Sequence, residues 1–599
     1  MGTSEIRLPR ASSRVLGCIA IAALCLGQLP VAAQESAPVT PQPLPPVPND
    51  DPWFGMVQSV SAPQTFINAG ARWTRLIFPW EDIQPNGPGD FRQGYFSEAE
   101  IEAQRALGIE VVGITLYTPR WAARDPRYGA RSVPQNLQLP VDDPRNYWAS
   151  YVKRLVAHYR GRIDTWVIYN EPDIYVEPDD FRTFAGTPAD YALLLKTAYL
   201  AAKSVNPNAR IVMAGLTYFW DKENDRPQYF QRVLDAIRSD PTAAANNWFF
   251  DVVDAHTYGN PLNSYTVPLV FQRIMRERGI NKPIWIDESN VLIKNDPRVG
   301  SGDGPFRATM DEQASYMIQS MALARAAGVQ RYSPYKLQDE NPENGDEYWG
   351  LTRNDGTFRP SYLGYQVAVR YMQNARSATY YWGGSQTPPT EQEINALLAS
   401  NANRFQWPWP APVNAVVLDR GAERVTVVWN ASPQQVQFAL PARSGSARLV
   451  SKYGQVSILA AQNGAYPLSL EPSRNNSDPR DPTLYLVGGS PLIVVEDVSQ
   501  PTATPAPTAT PALSATPVPT PTTLPALPPP EPPQEQWLVV FAPTPAYSLL
   551  DEVLWIAAPG EWYRVLLQEV GWALAVWEGD SPEWVVWIEL DERVASTAG

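Results

Sequence analysis

Eight short apolar runs, separated by longer stretches of helical pattern, constrain this chain more than any other feature of its sequence. They fall at 54–58, 73–78, 109–116, 165–169, 210–216, 249–255, 283–286 and 329–335. Runs of this length read as buried strands, and the amphipathic stretches between most of them read as helices. The clearest helix is 188–205: Thr187 is placed to cap it, Pro188 takes the first helical position, and Asp190 supplies a capping carboxylate. Leu194, Leu195, Ala198 and Ala202 then recur at helical spacing. Strands alternating with helices build a parallel sheet. Eight units over about 320 residues suit a closed (β/α)8 barrel better than an open sheet, because no Gly-rich phosphate loop follows the first run. The expected class is α/β, with the barrel spanning 53–375.

Composition narrows the chemistry. Both cysteines, Cys18 and Cys25, lie in the first 33 positions, and the only histidines are His158 and His256. A chain cleaved after Ala33 would carry no thiol, which rules out disulfide scaffolds, thiolate zinc sites and Cys nucleophiles. Two histidines do not make a multi-His metal centre. No metal and no cofactor is expected, and the chemistry falls to carboxylates. The net charge of -14 argues against binding to nucleic acid or to an anionic membrane, both of which need a basic footprint.

The N-terminus reads as an export signal. Arg7, Arg10 and Arg14 precede an apolar stretch over 15–29, and Val31-Ala32-Ala33 offers small residues for cleavage. An uncleaved anchor is the alternative, but Gln28 and Pro30 interrupt a stretch already short for a span. The protein is expected to be secreted or held at the cell surface, with no membrane contact beyond that signal. A Pro-rich tether follows at 34–52. Residues 376–411 read as a connecting segment without clear pattern. From 412 to 498 short alternating runs such as Arg424-Val425-Thr426-Val427-Val428-Trp429, with turns at Tyr453-Gly454 and Asn463-Gly464, read as an antiparallel β-sandwich. A Pro/Thr-rich linker spans 499–535; 13 of the 33 residues from 501 to 533 are Pro, so it reads as an extended spacer. Globular composition returns at 536–599.

A barrel places its reactive groups on the loops at the C-terminal ends of its strands. After the fourth run comes Asn170-Glu171-Pro172-Asp173, and after the seventh Asp287-Glu288-Ser289. Two facing carboxylates are what glycosidic cleavage requires, one to protonate the leaving oxygen and one to attack or to activate water. The sequence resembles the retaining glycoside hydrolases of clan A, the (β/α)8 enzymes that include family 5 cellulases and family 39 xylosidases and iduronidases. The resemblance rests on Trp166-Val167-Ile168-Tyr169-Asn170-Glu171-Pro172 and on Pro283-Ile284-Trp285-Ile286-Asp287-Glu288. It implies Glu171 as acid/base, Glu288 as nucleophile, and Asn170 on the sugar 2-hydroxyl. It further implies Arg75 near the nucleophile and, in His256-Thr257-Tyr258, an aromatic hydroxyl that orients it. Thr118-Pro119-Arg120-Trp121 is similar to the clan's loop after the third strand, and Gly350-Leu351 with Arg359-Pro360-Ser361-Tyr362 to the run into the last helix. The implied substrate is an oligo- or polysaccharide, β-linked.

Alternatives stay open at several positions. Side chains alternate along a strand, so only one of Asp287 and Glu288 is expected to face the barrel mouth, and Glu288 is favoured. His256 is either a site residue or a satisfied core histidine. Trp121 and Trp349 are sugar platforms or ordinary packing. The eighth strand, Tyr332-Ser333-Pro334-Tyr335-Lys336, departs from the clan's stacking Trp; Lys336 there would bind a carboxylated sugar or sit as a solvated charge. The C-terminal region, with Glu561-Trp562-Tyr563-Arg564-Val565, Gly571-Trp572 and Trp584-Val585, resembles a bacterial SH3-like domain, which implies a small β-barrel and a cell-wall polymer as partner. A second function class fits the same chain: a non-catalytic carbohydrate-binding or adhesion protein built on a glycosidase-like barrel.

Overall fold

A computed structural model describes residues 42–498, except 93, 177–180, 295, 299–306, 341–347, 401–405 and 476–483, and seven strands between 537 and 596. The export signal, the start of the tether and the linker lie outside the described residues.

Eight parallel segments close a barrel. Strands two to five, Trp73–Pro79, Glu110–Leu116, Thr165–Ile168 and Arg210–Met213, pair in sequence order. Strands six to eight, Val253–Tyr258, Ile284–Asn290 and Arg331–Tyr332, do the same. Parallel bridges from Val212 to Val252 and from Leu216 to Ala255 join the two groups. The first segment, at 54–55, closes the ring by bridging Phe54 to Tyr332 and Gly55 to Trp73. Every expected run therefore contributes a strand segment.

The interior is filled by bulky side chains: Trp73, Trp166 and Trp285, from strands two, four and seven, are fully buried. Gly113 makes room for this layer, since a Cβ there would sit 2.4 Å from the Trp166 ring. The covering helices include Glu98–Ala106, Tyr147–Tyr159, Pro188–Val205, Tyr229–Arg238, Asn263–Arg276, Met310–Ala326 and Pro360–Met372. Pro188–Val205 starts as its sequence demands: the Thr187 hydroxyl accepts from the Asp190 N–H at 3.1 Å, while the Asp190 carboxylate takes the Thr187 N–H at 2.9 Å. Among the described residues no helix is long and apolar enough to cross a membrane.

Met310–Ala326 is buried on every side from Gln313 to Ala324, because a second layer covers its outer face. That layer is a six-stranded antiparallel sheet in the order Ser377–Trp382, Val413–Asp419, Glu423–Asn430, Leu492–Asp497, Ser446–Val450, Val456–Ala460. The antiparallel pair Val436–Pro441 and Ala465–Leu470 packs its own small core against it. Two polar contacts stitch helix to sheet: Gln319 donates to the Gly489 carbonyl at 2.8 Å and accepts from the Gly488 N–H at 3.1 Å.

Two segments differ from expectation. Ser377–Trp382 falls in the supposed connecting segment, yet it is the edge strand of this sheet; its Thr-Tyr-Tyr-Trp run has strand propensity without the clear alternation that would mark it. Part of the Pro-rich tether is packed on the barrel: Leu44 and Val47 are buried, and the Leu44 backbone is held at both N–H and C=O by the Gln366 amide, at 2.8 and 2.9 Å. Pro fixes the backbone, so this stretch can dock at low entropic cost.

The C-terminal strands form a seven-stranded antiparallel sheet in the order Val553–Ala557, Thr544–Tyr547, Trp584–Glu589, Trp572–Trp577, Trp562–Glu569, Trp537–Val540, Val594–Ser596.

The seam between barrel and second layer is aromatic. Trp407 is fully buried, stacked on Tyr218 with centroids 5.1 Å apart and edge-on to Phe219 at 5.4 Å. Trp407→Ala should cost about 3–5 kcal/mol, read as a lower urea midpoint of the barrel transition; an unchanged midpoint would show that the seam does not stabilise the barrel.

Candidate active site

The seventh strand carries an irregularity that decides which side chains reach the barrel mouth. Asp254 pairs with Trp285, but His256 pairs with Glu288, so strand seven spans three steps where strand six spans two. A bulge of this kind breaks the alternation of faces. Asp287 and Glu288, adjacent in sequence, therefore both turn inward, and Arg75 from strand two contacts both carboxylates, Asp287 at 2.9 Å and Glu288 as well. The expectation that only one of them faces the interior is corrected. Asp287 lies beneath, fully buried, and Glu288 lines the opening.

Glu171 follows the fourth strand on a tight turn. Tyr169 and Glu171 adopt left-handed backbone, with φ of 76° and 43°. Such positions cost about 1–3 kcal/mol each and persist where the surroundings hold them. Here the Glu171 N–H donates to the Gly215 carbonyl at 3.1 Å, and its C=O accepts from the Thr183 hydroxyl. Asp173 braces the turn from below, its carboxylate accepting from the Thr217 N–H at 2.8 Å and the Thr217 hydroxyl at 2.9 Å.

His256 sits between the acidic groups. Its Nδ1 is 2.7 Å from Glu171 Oε1 and 3.4 Å from Glu288 Oε2, and its Nε2 is 2.9 Å from Asp287 Oδ1. Gly215 is required for this placement, because a Cβ there would lie 1.9 Å from His256 Nε2. The Tyr258 hydroxyl donates to Glu288 Oε2 at 2.5 Å. Carboxylate oxygens of Glu171 and Glu288 lie within 4.8 Å of each other. Both face a cavity of about 310 Å³ that Asn170, Tyr258, Tyr335 and Trp349 complete, at the lower end of the size that holds small organic ligands.

Trp349 stands edge-on to Tyr258 at 5.0 Å and to Tyr335 at 6.4 Å. A buried ion network holds the next residue. Arg359 donates to the Gly350 carbonyl at 2.7 Å, to Asp296 at 2.8 Å and to Asp339 at 2.5 Å, and Asp339 accepts from the Gly350 N–H at 2.8 Å. The planar guanidinium thus fastens loops from the seventh and eighth strands together.

The cavity gathers Glu171, Glu288, Asn170, Tyr258 and Trp349, with Arg75 and His256 directly behind the carboxylates. It does not gather Trp121 or Lys336. The Trp121 indole donates to the Gln84 carbonyl at 2.6 Å and packs against Trp80 and Tyr147. Lys336 is neither solvated nor in the cavity lining: it is buried, with its ammonium 3.1 Å from Glu340. Tyr335 and Asp254 were not singled out from the sequence, and Asp287 was weighed there only as the alternative to Glu288. Tyr335, after the eighth strand, lines the cavity. Nothing local in the sequence marks the bulge that turns Asp287 inward.

Charge is balanced inside this cluster. Burial works to raise the Glu288 carboxyl, but Arg75, His256 and the Tyr258 hydrogen bond hold it below the ordinary range. Burial likewise opposes ionisation of Asp287, and Arg75 and His256 overcome it. Asp254 is pushed well up, first by burial and then by the Asp287 charge, and keeps its proton. For His256 burial disfavours the charged ring, yet Glu288, Asp287 and Glu171 raise it well above its ordinary value. Glu171, His256 and Glu288 are spaced closely enough for a cation, but the Arg75 guanidinium already supplies positive charge to Glu288.

The fold is shared with solved glycoside hydrolases. A family 39 glycoside hydrolase from the gut symbiont Bacteroides cellulosilyticus aligns with a TM-score of 0.51 at 16% identity, over 75% of this chain and 82% of that one. A family 30 subfamily 8 xylanase from Clostridium acetobutylicum aligns at 0.45 and 16% identity, over 74% and 95%. A monomeric β-xylosidase from Caulobacter crescentus aligns at 0.44 and 13% identity, over 76% and 97%. No protein-family model matches the sequence, and no curated protein matches it. The likeness is one of fold: a TIM barrel with a sheet-rich second layer.

Asp173 yields a pH prediction. Burial, opposed by the Thr217 hydrogen bonds and reinforced by the Glu171 charge, pushes its carboxyl up to about 7. Between the unfolded value of about 3.9 and that folded value, the native state holds a proton the unfolded chain has released, so stability falls as pH rises. Asp173→Asn should remove that fall and gain stability at neutral pH relative to acid, measured as urea midpoints from about pH 4 to about 8. Parallel curves for both proteins would contradict the assignment.

Proposed function

We propose that the protein is a secreted retaining glycoside hydrolase that cleaves O-glycosidic bonds of a β-linked glycan by double displacement. The observation that carries this reading is the approach of Glu171 and Glu288 within 4.8 Å across one cavity. Retaining enzymes place their carboxyl groups about 5–5.5 Å apart, whereas inverting enzymes leave about 6.5–9.5 Å for a water. Glu288, kept ionised by Arg75 and aimed by Tyr258, attacks the anomeric carbon while Glu171 protonates the departing oxygen. Glu171 then takes a proton from water, which attacks the same carbon and releases the sugar with its configuration retained.

The cavity supports a sugar as occupant. Asn170 Oδ1 is buried with no hydrogen-bond partner, an acceptor suited to the 2-hydroxyl. Trp349 and Tyr335 supply aromatic wall. The C-terminal strands are read as an SH3-like module that holds cell-wall polymer, and the export signal sends the enzyme outside the cytoplasm.

A panel of aryl β-glycosides tests the reading. Glu171→Gln should lower kcat/KM by about 10²–10⁴-fold for a poor leaving group and by much less for an activated one, and Glu288→Gln should abolish turnover of both. Proton NMR of the first-formed product should show the anomer of the substrate. Binding to glycan without turnover of any panel member would favour the adhesion class, and an inverted product would overturn the assignment of Glu288.

A further inference from the structure

One carboxylate in the cluster has no part in the scheme above. Asp287 is fully buried, contacts neither the cavity nor a sugar, and is joined to both cations: Arg75 Nη1 at 2.9 Å and His256 Nε2 at 2.9 Å. His256 in turn reaches Glu171 and Glu288 through one nitrogen, Nδ1, at 2.7 and 3.4 Å. The groups that face this ring are Arg75 from strand two, Glu171 from the turn after strand four, Asp254 and Tyr258 from strand six, and Asp287 and Glu288 from strand seven. The bare Gly215 presses on the ring from strand five.

The contacts divide between the two ring nitrogens. Nε2 meets the Asp287 carboxylate at 2.9 Å, and Nδ1 meets Glu171 at 2.7 Å and Glu288 at 3.4 Å. A neutral imidazole carries one N–H and only the imidazolium carries two, so donation to Asp287 on one side and to the glutamates on the other requires the charged ring.

We propose that Asp287 is a positioning residue that, by accepting from His256 Nε2, holds an imidazolium with its Nδ1–H turned to the two glutamates, 2.7 Å from Glu171 and 3.4 Å from Glu288. Asp254 supports Asp287 from beneath. Its Oδ1 accepts from the Asp287 N–H at 3.0 Å, and Oδ2 of Asp254 and Oδ2 of Asp287 are both buried with no other donor, so one proton between them satisfies both. The role in catalysis rests on the glycosidase reading; the charged ring does not.

The chain has only two histidines, which makes a direct test practical. In full-length protein with histidine-selective ¹⁵N labelling, His158→Gln removes the exposed histidine and leaves the signal of His256. In that background the His256 nitrogens should stay at imidazolium shifts from about pH 5 to about 8, Asp287→Asn should bring their titration into that range, and Asp254→Asn should leave them unmoved. A His256 that titrates near the ordinary value with Asp287 present overturns the proposal, and so does one that stays charged in Asp287→Asn. If Asp287→Asn does not fold, the titration with Asp287 in place decides alone. In an active enzyme, Asp287→Asn should also lower kcat on the alkaline side with little change in KM. A charged His256 in a protein that turns over no glycoside would overturn the enzymatic reading while leaving the charge assignment intact.

Discussion

Four carboxylates and two cations share the mouth of one barrel, and the need to keep them mutually compensated governs the rest of the site. An isolated buried ion costs several kcal/mol, so no member can be removed without exposing another. Arg75 is the far anchor: it lies on strand two, 212 positions before Asp287, and its guanidinium contacts both carboxylates of strand seven. This long-range pairing ties two strands together at the end of the barrel where sugars would enter, and it is available only because a bulge turns adjacent residues the same way.

The surrounding architecture supplies stiffness rather than chemistry. The left-handed turn at Glu171 is held by Gly215 and Thr183 from neighbouring segments, and its own Asp173 ties it to Thr217. The aromatic wall at Trp349 is held by Arg359 through loops from two strands. Burial of Met310–Ala326 between barrel and second layer fixes the helix that follows the seventh strand. A catalytic geometry good to a fraction of an ångström needs such supports.

Much of this could be read in the sequence, and the remainder could not for identifiable reasons. Eight apolar runs mark eight strand segments because a parallel sheet covered on both faces needs continuous apolar stretches. Thr187 and Asp190 mark a helix start because capping is local chemistry. Glu171 and Glu288 stand out because strand ends place them at the barrel mouth. Asp287 was set aside because strict alternation forbids it, and a bulge is a property of the pairing of two strands, not of either one. Lys336 and Trp121 looked available for substrate because their partners, Glu340 and the Gln84 carbonyl, become neighbours only on folding. Ser377–Trp382 was passed over because an edge strand needs little pattern of its own once a partner, Val413–Asp419, offers its backbone.

The most direct measurement is mass spectrometry of the protein after reaction with a 2-deoxy-2-fluoro analogue of whichever aryl glycoside it hydrolyses, a reagent that slows release of the covalent intermediate more than its formation. The account predicts one added fluoroglycosyl group, located after proteolysis on the peptide that contains Glu288. Turnover of the parent glycoside with the label on another residue, or with no label at any reagent concentration, would contradict it.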